Sequence, residues 1–431
     1  MLSERFRDIP YWWEAAPPED ASAVPLPEQV DVAIIGSGFT GLCCALELAE
    51  HGVGVTVLDA GPLGGGASSR SGGMVTGGQK LVVTDAIAGL PPERQARLLA
   101  DAGESLVTLE RFITQFGLDA DYERCGRLIL AHVPKHYRRL ERWAKLLRER
   151  AGSAVSLLPR ERLPEEIGGT RYHGALLIED YGGLHPGKYH RALRDAARAR
   201  GAVLASHAPV LGIARDGPGF LVRTGRGSIR AREVVVGTNG YTDALVPALR
   251  RGVVPVRAYV IATAPLPAGL AARIVPRQRM MSDTQRDLFW MRLSPDGTRM
   301  IFGARPGVLE QEPRRAARRL HRMMCSVWPE LREVPVDYCW TGNVGMTADH
   351  LPHMGTHDGV HYALGCNGSG VAMMSYLGYQ TARKLLGRQN RPCAFEGAEL
   401  PALPAFARGP WLVPLAAGWY RLRDRLDELM A

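Results

Sequence analysis

Gly36, Gly38 and Gly41 stand between an apolar run, Val30-Asp31-Val32-Ala33-Ile34-Ile35, and a stretch of helical character; a second apolar run, Val53-Gly54-Val55-Thr56-Val57-Leu58, ends in Asp59. Residues of these types at this spacing suit the binding of a dinucleotide. Gly36 permits a tight turn, Gly38 lets backbone approach a pyrophosphate, and Gly41 lets helix and strand pack closely. Together with Ser37, Phe39 and Thr40 they would aim the N–H groups and positive dipole end of a helix at phosphate oxygens. Asp59 lies 59 − 41 = 18 residues beyond the last glycine and precedes Ala60. A carboxylate there can accept hydrogen bonds from both hydroxyls of an adenosine ribose. A bare packing turn is the alternative; the order strand, glycine turn, helix, strand, acid favours the dinucleotide site.

A second corner of this kind lies near the other end, where Tyr362-Ala363-Leu364 leads into Gly365-Cys366-Asn367-Gly368-Ser369-Gly370 and a helix is predicted over 371–386. Helical patterning covers 92–116 and 135–150. A strand-rich tract over 203–236 ends in Glu233-Val234-Val235-Val236-Gly237-Thr238-Asn239-Gly240. Strands are also predicted over 253–262 and 288–303, with a hairpin turn at Ser294-Pro295-Asp296-Gly297. The expected fold class is α/β, with a Rossmann-like dinucleotide domain assembled from discontinuous segments (26–116, 183–247 and 339–390). Inserted into it is an α+β substrate domain with a mixed or antiparallel sheet (117–182 and 248–338). A C-terminal tail or helix occupies 391–431. The reacting ligand is expected in the cleft between the domains.

With 431 residues, 46% of them hydrophobic and 23% charged, the chain can bury a large core and has the composition of a globular protein. No apolar run approaches a membrane span, and Met1-Leu2-Ser3-Glu4-Arg5-Phe6-Arg7-Asp8 lacks the apolar core of a signal peptide, so a cytoplasmic protein is expected. Seven scattered cysteines without a CxxC pair indicate neither a disulfide framework nor a metal site. The net charge of +9 is spread along helical stretches such as Arg314-Arg315-Ala316-Ala317-Arg318-Arg319, which reads as solvated helix faces and not as a nucleic-acid site. The basic segment from Trp411 to Leu429 has an apolar half and a charged half; packing on its own domain is expected ahead of docking to a partner or membrane.

Taken in order, further stretches resemble the FAD-dependent D-amino-acid oxidase superfamily, which includes glycine oxidase and monomeric sarcosine oxidase, and within it the gamma-glutamylputrescine oxidase-like branch. They are Tyr11-Trp12-Trp13-Glu14-Ala15-Ala16-Pro17-Pro18, Gly66-Ala67-Ser68-Ser69-Arg70-Ser71-Gly72-Gly73, Leu184-His185-Pro186-Gly187-Lys188, Val254-Pro255-Val256-Arg257-Ala258-Tyr259, Trp340-Thr341-Gly342, Asp349-His350-Leu351-Pro352-His353-Met354-Gly355 and Trp419-Tyr420-Arg421-Leu422-Arg423-Asp424. The resemblance implies FAD as the dinucleotide; some relatives tether flavin through a cysteine, and because neither Cys339 nor Cys366 stands at that position, non-covalent FAD is expected here. It implies that Val210 meets adenine through its backbone and that Gly237, Thr238 and Asn239 make a second dinucleotide contact. The loop from Gly66 to Gly73, with Met74, would pass beside the flavin together with Trp340 and Gly342. Asn367, Gly368, Ser369, Gly370, Val371 and Ala372 would present a helix N-terminus to the flavin's pyrimidine edge, where reduced flavin carries negative charge. The implied reaction moves a hydride from the carbon beside an amine nitrogen to flavin N5. Hydrolysis of the imine follows, and electrons pass to O2, giving H2O2, or to another acceptor.

Departures from the family narrow the substrate. Amino-acid-oxidising relatives grip the substrate carboxylate with an arginine in a Gly-Leu-Arg-Pro stretch. Here Gly342-Asn343-Val344-Gly345 puts Val344 at that position, so an amine without a carboxylate at the reacting carbon is expected, such as a polyamine derivative or N-alkyl amine. Arg257, Arg292, Tyr259, Trp290 and Trp340 are the candidates for the pocket wall; a surface salt bridge for the arginines and core packing for Trp340 and Tyr259 are the alternatives. The lysine that promotes oxygen reaction in sarcosine-oxidising relatives has no counterpart in Met300-Ile301-Phe302-Gly303, which leaves open a dehydrogenase, or a flavin-holding subunit of a larger complex. Cys339 and Cys366 are expected to be buried and inert.

Overall fold

The computed structural model describes residues 1–307, 309–397, 400–402 and 412–430. Among these residues the strands form an eight-stranded sheet, a nine-stranded sheet and a two-stranded ribbon. The first sheet is built around Gln29–Ile35, which pairs in parallel with Val55–Leu58 on one side and Gly227–Val236 on the other; Val203–Ala205 extends it beyond Val55–Leu58. Its central strands are covered on both faces, so they read as continuous apolar runs instead of alternating. Gly227–Val236 changes neighbour along its length. Its first half pairs antiparallel with Gly219–Thr224, and Val235 and Val236 pair in parallel with Val360–Leu364. A strand from late in the chain thereby joins the sheet begun near residue 30, and Gly36, Gly237 and Gly365 all leave it at the carboxyl edge, where ligands of open α/β sheets bind.

The opening helix, Phe39–Glu50, has no polar face: every residue from Phe39 to Ala49 is buried. The sheet lies on one side of it and the closing helix, Gly370–Leu385, crosses the other. Burying Leu42, Leu46 and Leu48 contributes about 1.5–3 kcal/mol each. Glycines set the spacing. A Cβ on Gly41 would stand 2.0 Å from the Gly36 carbonyl oxygen, and one on Gly378 of the closing helix 2.2 Å from that of Thr40.

The second sheet is mixed and mostly antiparallel, as expected. Its order is Leu2–Arg7, Val336–Met346, Val254–Thr263, Met300–Ala304, Trp290–Leu293, Met280–Asp283, Arg127–Leu130, Ala175–Ile178 and Val155–Leu158. The predicted hairpin turn joins Trp290–Leu293 to Met300–Ala304, with Gly297 at φ +70°. The helices predicted over 92–116 and 135–150 are Pro92–Phe116 and Pro134–Ala151. Each has proline at its start and a left-handed glycine, Gly117 or Gly152, at its end.

Two boundaries differ from expectation. Position 339 falls inside Val336–Met346, which continues one ladder with Val254–Thr263, so the stretch 339–346 belongs to the second sheet and cannot be detached without breaking that ladder. Leu2–Arg7, outside the expected domains, is the edge strand beside it. Within the expected tail, Leu412–Leu429 is helical, while Trp411 lies outside the described residues. No helix among the described residues is long and apolar enough to cross a membrane.

Gly378→Ala should lower the melting temperature, since overpacking of this kind costs about 1–3 kcal/mol. Thermal unfolding checks this, and an unchanged midpoint would mean that the two helices can part at no cost.

Candidate active site

At the opening corner, Gly36 adopts φ +100° and Gly38 caps the helix without a side chain. Asp59 is fixed from three directions: Ser37 donates to its Oδ2 from backbone N (2.9 Å) and from Oγ (2.6 Å), and Gly61 N donates to Oδ1 (3.0 Å). Val210 begins a strand two residues after Ala208, whose N–H donates to the Asp59 carbonyl at 2.8 Å, while Ala60 is exposed beside it. The expected dinucleotide residues are therefore gathered. Phe39 N is met by Ser68 Oγ at 3.0 Å, which ties the loop to the helix start. Behind the corner, burial pushes His190 down to about 4. It is neutral at pH 7, and its Nε2–H donates to the Ser37 carbonyl at 2.7 Å.

The loop from Gly66 to Gly73 is held by its carbonyls. Trp340 Nε1 donates to Arg70 O (2.8 Å), Trp12 Nε1 to Ser71 O (2.9 Å), Arg292 Nη1 to Gly72 O (3.2 Å), and Leu184 N to Gly73 O (2.8 Å). Trp13 donates to Ser69 Oγ at 2.9 Å, and the Arg70 guanidinium lies 4.4 Å from the Trp13 ring centroid. Arg70 itself donates to Gly65 O and Thr341 O, next to Gly342. Gly73 must be glycine: it has φ +68°, and a Cβ there would lie 2.1 Å from Leu184 O. Ala67 lies in the short helical turn Ala67–Arg70, and Met74 packs against Cys125, Tyr181 and Met280.

At the closing corner Gly365, Asn367 and Gly368 all have positive φ, and Ser369 begins the closing helix without a side-chain cap bond. Buried Asn367 accepts from Thr347 N (3.0 Å) and donates to Thr347 Oγ1 (3.0 Å) and Gly365 O (2.9 Å). Asn239 ties the turn after Gly227–Val236 to the closing corner, its Oδ1 accepting from Gly365 N (3.0 Å) and Cys366 N (3.2 Å). Gly237 lies against Thr40, and Thr238 bonds Thr242. Val371 and Ala372 are buried in the first turn of the closing helix.

Of the expected pocket residues, Arg257, Tyr259 and Trp340 have other surroundings, while the Trp290 ring packs against Gly72 and Gly303 and Arg292 borders a hollow. Arg257 is exposed and pairs with Glu310 at 2.8 Å, the surface salt bridge that was the alternative. Tyr259 is buried and accepts from Gln311 N at 2.8 Å, so it packs and tethers a loop. Trp340 is buried and spends its indole N–H on the Arg70 carbonyl. Arg292 is no surface residue: it is 3% exposed, and its hydrogen bonds go to the carbonyls of Gly72, Gly73, Leu184 and Leu293. It also borders a hollow of about 570 Å3 that Asp121, Glu123, Lys188, Met280 and Asp296 help to line. Burial lowers it to about 10, so it remains charged at pH 7.

Sequence reading missed Lys80. Its Nζ donates to the Asn367 carbonyl, and with Thr76, His350, Cys366 and Ser369 it lines a small cavity at the start of the closing helix. Burial pushes it down to about 8. The signal available was a lysine directly after Gly77-Gly78-Gln79 in a chain with only a handful of lysines.

The family described as FAD dependent oxidoreductase (DAO) matches residues 31–384, from the opening strand into the closing helix. The chain belongs to this DAO family. It is an FAD-dependent amine or amino-acid oxidoreductase. Among its relatives, the probable oxidoreductase OrdL of Rhizobium meliloti is 30% identical over 96% of this chain and 97% of its own. The gamma-glutamylputrescine oxidoreductase of Escherichia coli is 32% identical over 92% and 93%. The crystal structure of glycine oxidase from Geobacillus kaustophilus superposes with a TM-score of 0.72 at 22% identity, covering 88% of this chain and 99% of that one, which establishes the shared fold. For this DAO-family chain the residues suit FAD: two helix starts whose own cap residues add no side-chain bond flank a loop in which Gly72 and Gly73 leave no room for a Cβ.

Trp340→Phe removes the donor to the Arg70 carbonyl and part of a buried ring; leaving that acceptor unpaired alone costs about 1–3 kcal/mol, and the lost volume adds to it. A lower melting temperature and faster loss of FAD on gel filtration are expected, and normal values for both would show that the loop is held without it.

Proposed function

We propose that this DAO-family protein oxidises a C–N bond of an amine that carries no carboxylate on the reacting carbon, using non-covalent FAD. The reading rests on one observation above others: Gln29–Ile35 and Val360–Leu364 both pair with Gly227–Val236, and the turn after that strand packs Gly237 on the opening corner and bonds Asn239 to the closing one, so the starts of the opening and closing helices share one edge of one sheet. Bound FAD would supply the two-electron acceptor for hydride from the carbon beside nitrogen. Ser37, Asp59 and the opening helix would hold its ADP half. The chain from Arg70 to Gly73, its carbonyls taken by Trp340, Trp12, Arg292 and Leu184, would present a fixed backbone beside the reacting ring. The closing helix and the Lys80 ammonium would place positive charge where the pyrimidine edge lies.

The amine must be neutral to give up a hydride, and the resulting imine is hydrolysed by water to an aldehyde plus amine or ammonia. The half-buried isopropyl group of Val344 favours a substrate without a neighbouring carboxylate. The name of the E. coli relative, a gamma-glutamylputrescine oxidoreductase, points the same way, toward an amine at the end of a polyamine derivative. Burial raises Cys339 to about 12, and Cys366 is also buried, which supports a non-covalent cofactor. O2 is the proposed acceptor.

Anaerobic absorption spectra test the reading: a polyamine derivative or N-alkyl amine should bleach the flavin band, glycine and D-amino acids should not, and air should restore the colour with release of H2O2. Bleaching by glycine at ordinary concentrations would overturn the substrate class. Acid-precipitated protein should be colourless. Lys80 loses its charge above about pH 8, whereas an ordinary lysine keeps it to pH 10. Lys80→Met should therefore lower the midpoint potential of bound FAD at pH 7 by roughly 30 mV or more, where 30 mV is about 1.4 kcal/mol for a two-electron couple. An unchanged potential would remove Lys80 from this scheme.

A further inference from the structure

An amphipathic helix ordinarily buries its apolar stripe and turns its charges to water. The C-terminal helix, Leu412–Leu429, does the reverse. Its acids pair with the body of the protein, Asp424 and Asp427 buried and Glu428 at the rim. Asp424 and Asp427 bond Arg286 (2.9 and 2.7 Å), Asp427 also pairs with Lys135 (2.8 Å), and Glu428 meets His132 (2.7 Å). Arg421 joins them through Asp287 at 2.8 Å. The opposite face carries Leu415, Trp419, Leu422, Leu426 and Leu429, each between 41% and 84% exposed. Their spacing of four, three, four and three residues makes one continuous stripe along the helix. At 3.6 residues per turn, Arg423 falls on one flank of the stripe and Arg425 on the other. Both are exposed, and among the described residues neither makes an ion pair; Arg423 lies 5.7 Å from the Trp419 ring.

We propose that this helix lays its outward stripe on an anionic lipid surface. The polar inner face fixes the helix to the protein, so the stripe is presented without unfolding. An apolar band with an aromatic residue and arginines on both sides matches an acyl boundary overlaid by anionic headgroups. A second copy of the chain fits poorly: with an arginine on each flank, pairing two stripes in either direction sets arginine against arginine. The helix is too short and too charged to span the bilayer, so the protein rests on the surface.

The test is sedimentation of the full-length, FAD-loaded protein with vesicles of phosphatidylcholine alone or mixed with phosphatidylglycerol. The protein should pellet with the mixed vesicles and be released by high salt. Leu422→Glu should abolish binding and Arg423→Gln with Arg425→Gln should weaken it by roughly tenfold or more; because these residues point outward, melting temperature and flavin spectrum should be unchanged. Protein that stays in the supernatant with both vesicle types overturns the proposal. So does a dimer in solution that Leu422→Glu dissolves, which would assign the stripe to a second copy.

Discussion

One buried guanidinium determines much of the site's geometry. Arg292 comes from a hairpin of the second sheet, yet its bonds go to carbonyls of the loop that follows the opening unit and to Leu184. Among the described residues it has no carboxylate within ion-pair distance, so the cost of burying its charge is offset by oriented backbone dipoles. Such an arrangement tolerates little movement, because each carbonyl that drifts away leaves positive charge less well solvated. The loop is therefore clamped between sheets by a residue whose own burial depends on the clamp. Trp12 and Trp340 complete it from other parts of the chain, and the T-shaped packing of their rings, 6.3 Å between centroids, couples those two contacts.

The same economy appears at the corners. Glycines at 41, 73 and 378 each allow backbone to approach backbone at distances that a methyl group would block, and Gly36 supplies a φ of +100°. Asn239 then uses a single side-chain oxygen to tie the carboxyl end of one strand to the turn after another. Close approach and positive φ are what a large planar cofactor needs around it, since its edges must be reached by main chain.

Much of this was legible in the sequence. Gly36, Gly38, Gly41 and Asp59 act locally, within one strand–helix–strand unit, so their spacing alone carries the message. Pro92 with Gly117, and Pro134 with Gly152, mark helix ends for the same reason. Long-range partnerships were not legible. Nothing near Trp340 shows that its indole will meet a carbonyl from position 70, and an aromatic beside a cleft reads equally well as a pocket wall. Tyr259 and Arg257 were misplaced on similar grounds, because strand alternation gives a face without saying what covers it. Lys80 escaped notice because family likeness directed attention to the strand at 300–303, whereas the cation comes from another segment. The boundary at 339 failed because a strand shared by two units has no compositional edge.

The clamp also bears on how the chain is made. Leu2–Arg7 pairs with Val336–Met346, and Trp12 and Trp340 grip the same loop, so contacts separated by more than three hundred residues must form together. Such contacts carry a large loop-closure cost and form late. On the ribosome the opening helix lacks the cover of Gly370–Leu385, and the loop beside it stays unclamped, until the segments beyond residue 336 have emerged. Cofactor capture is thus timed by synthesis: neither corner is complete, and the loop between them is not gripped, until the chain is nearly finished.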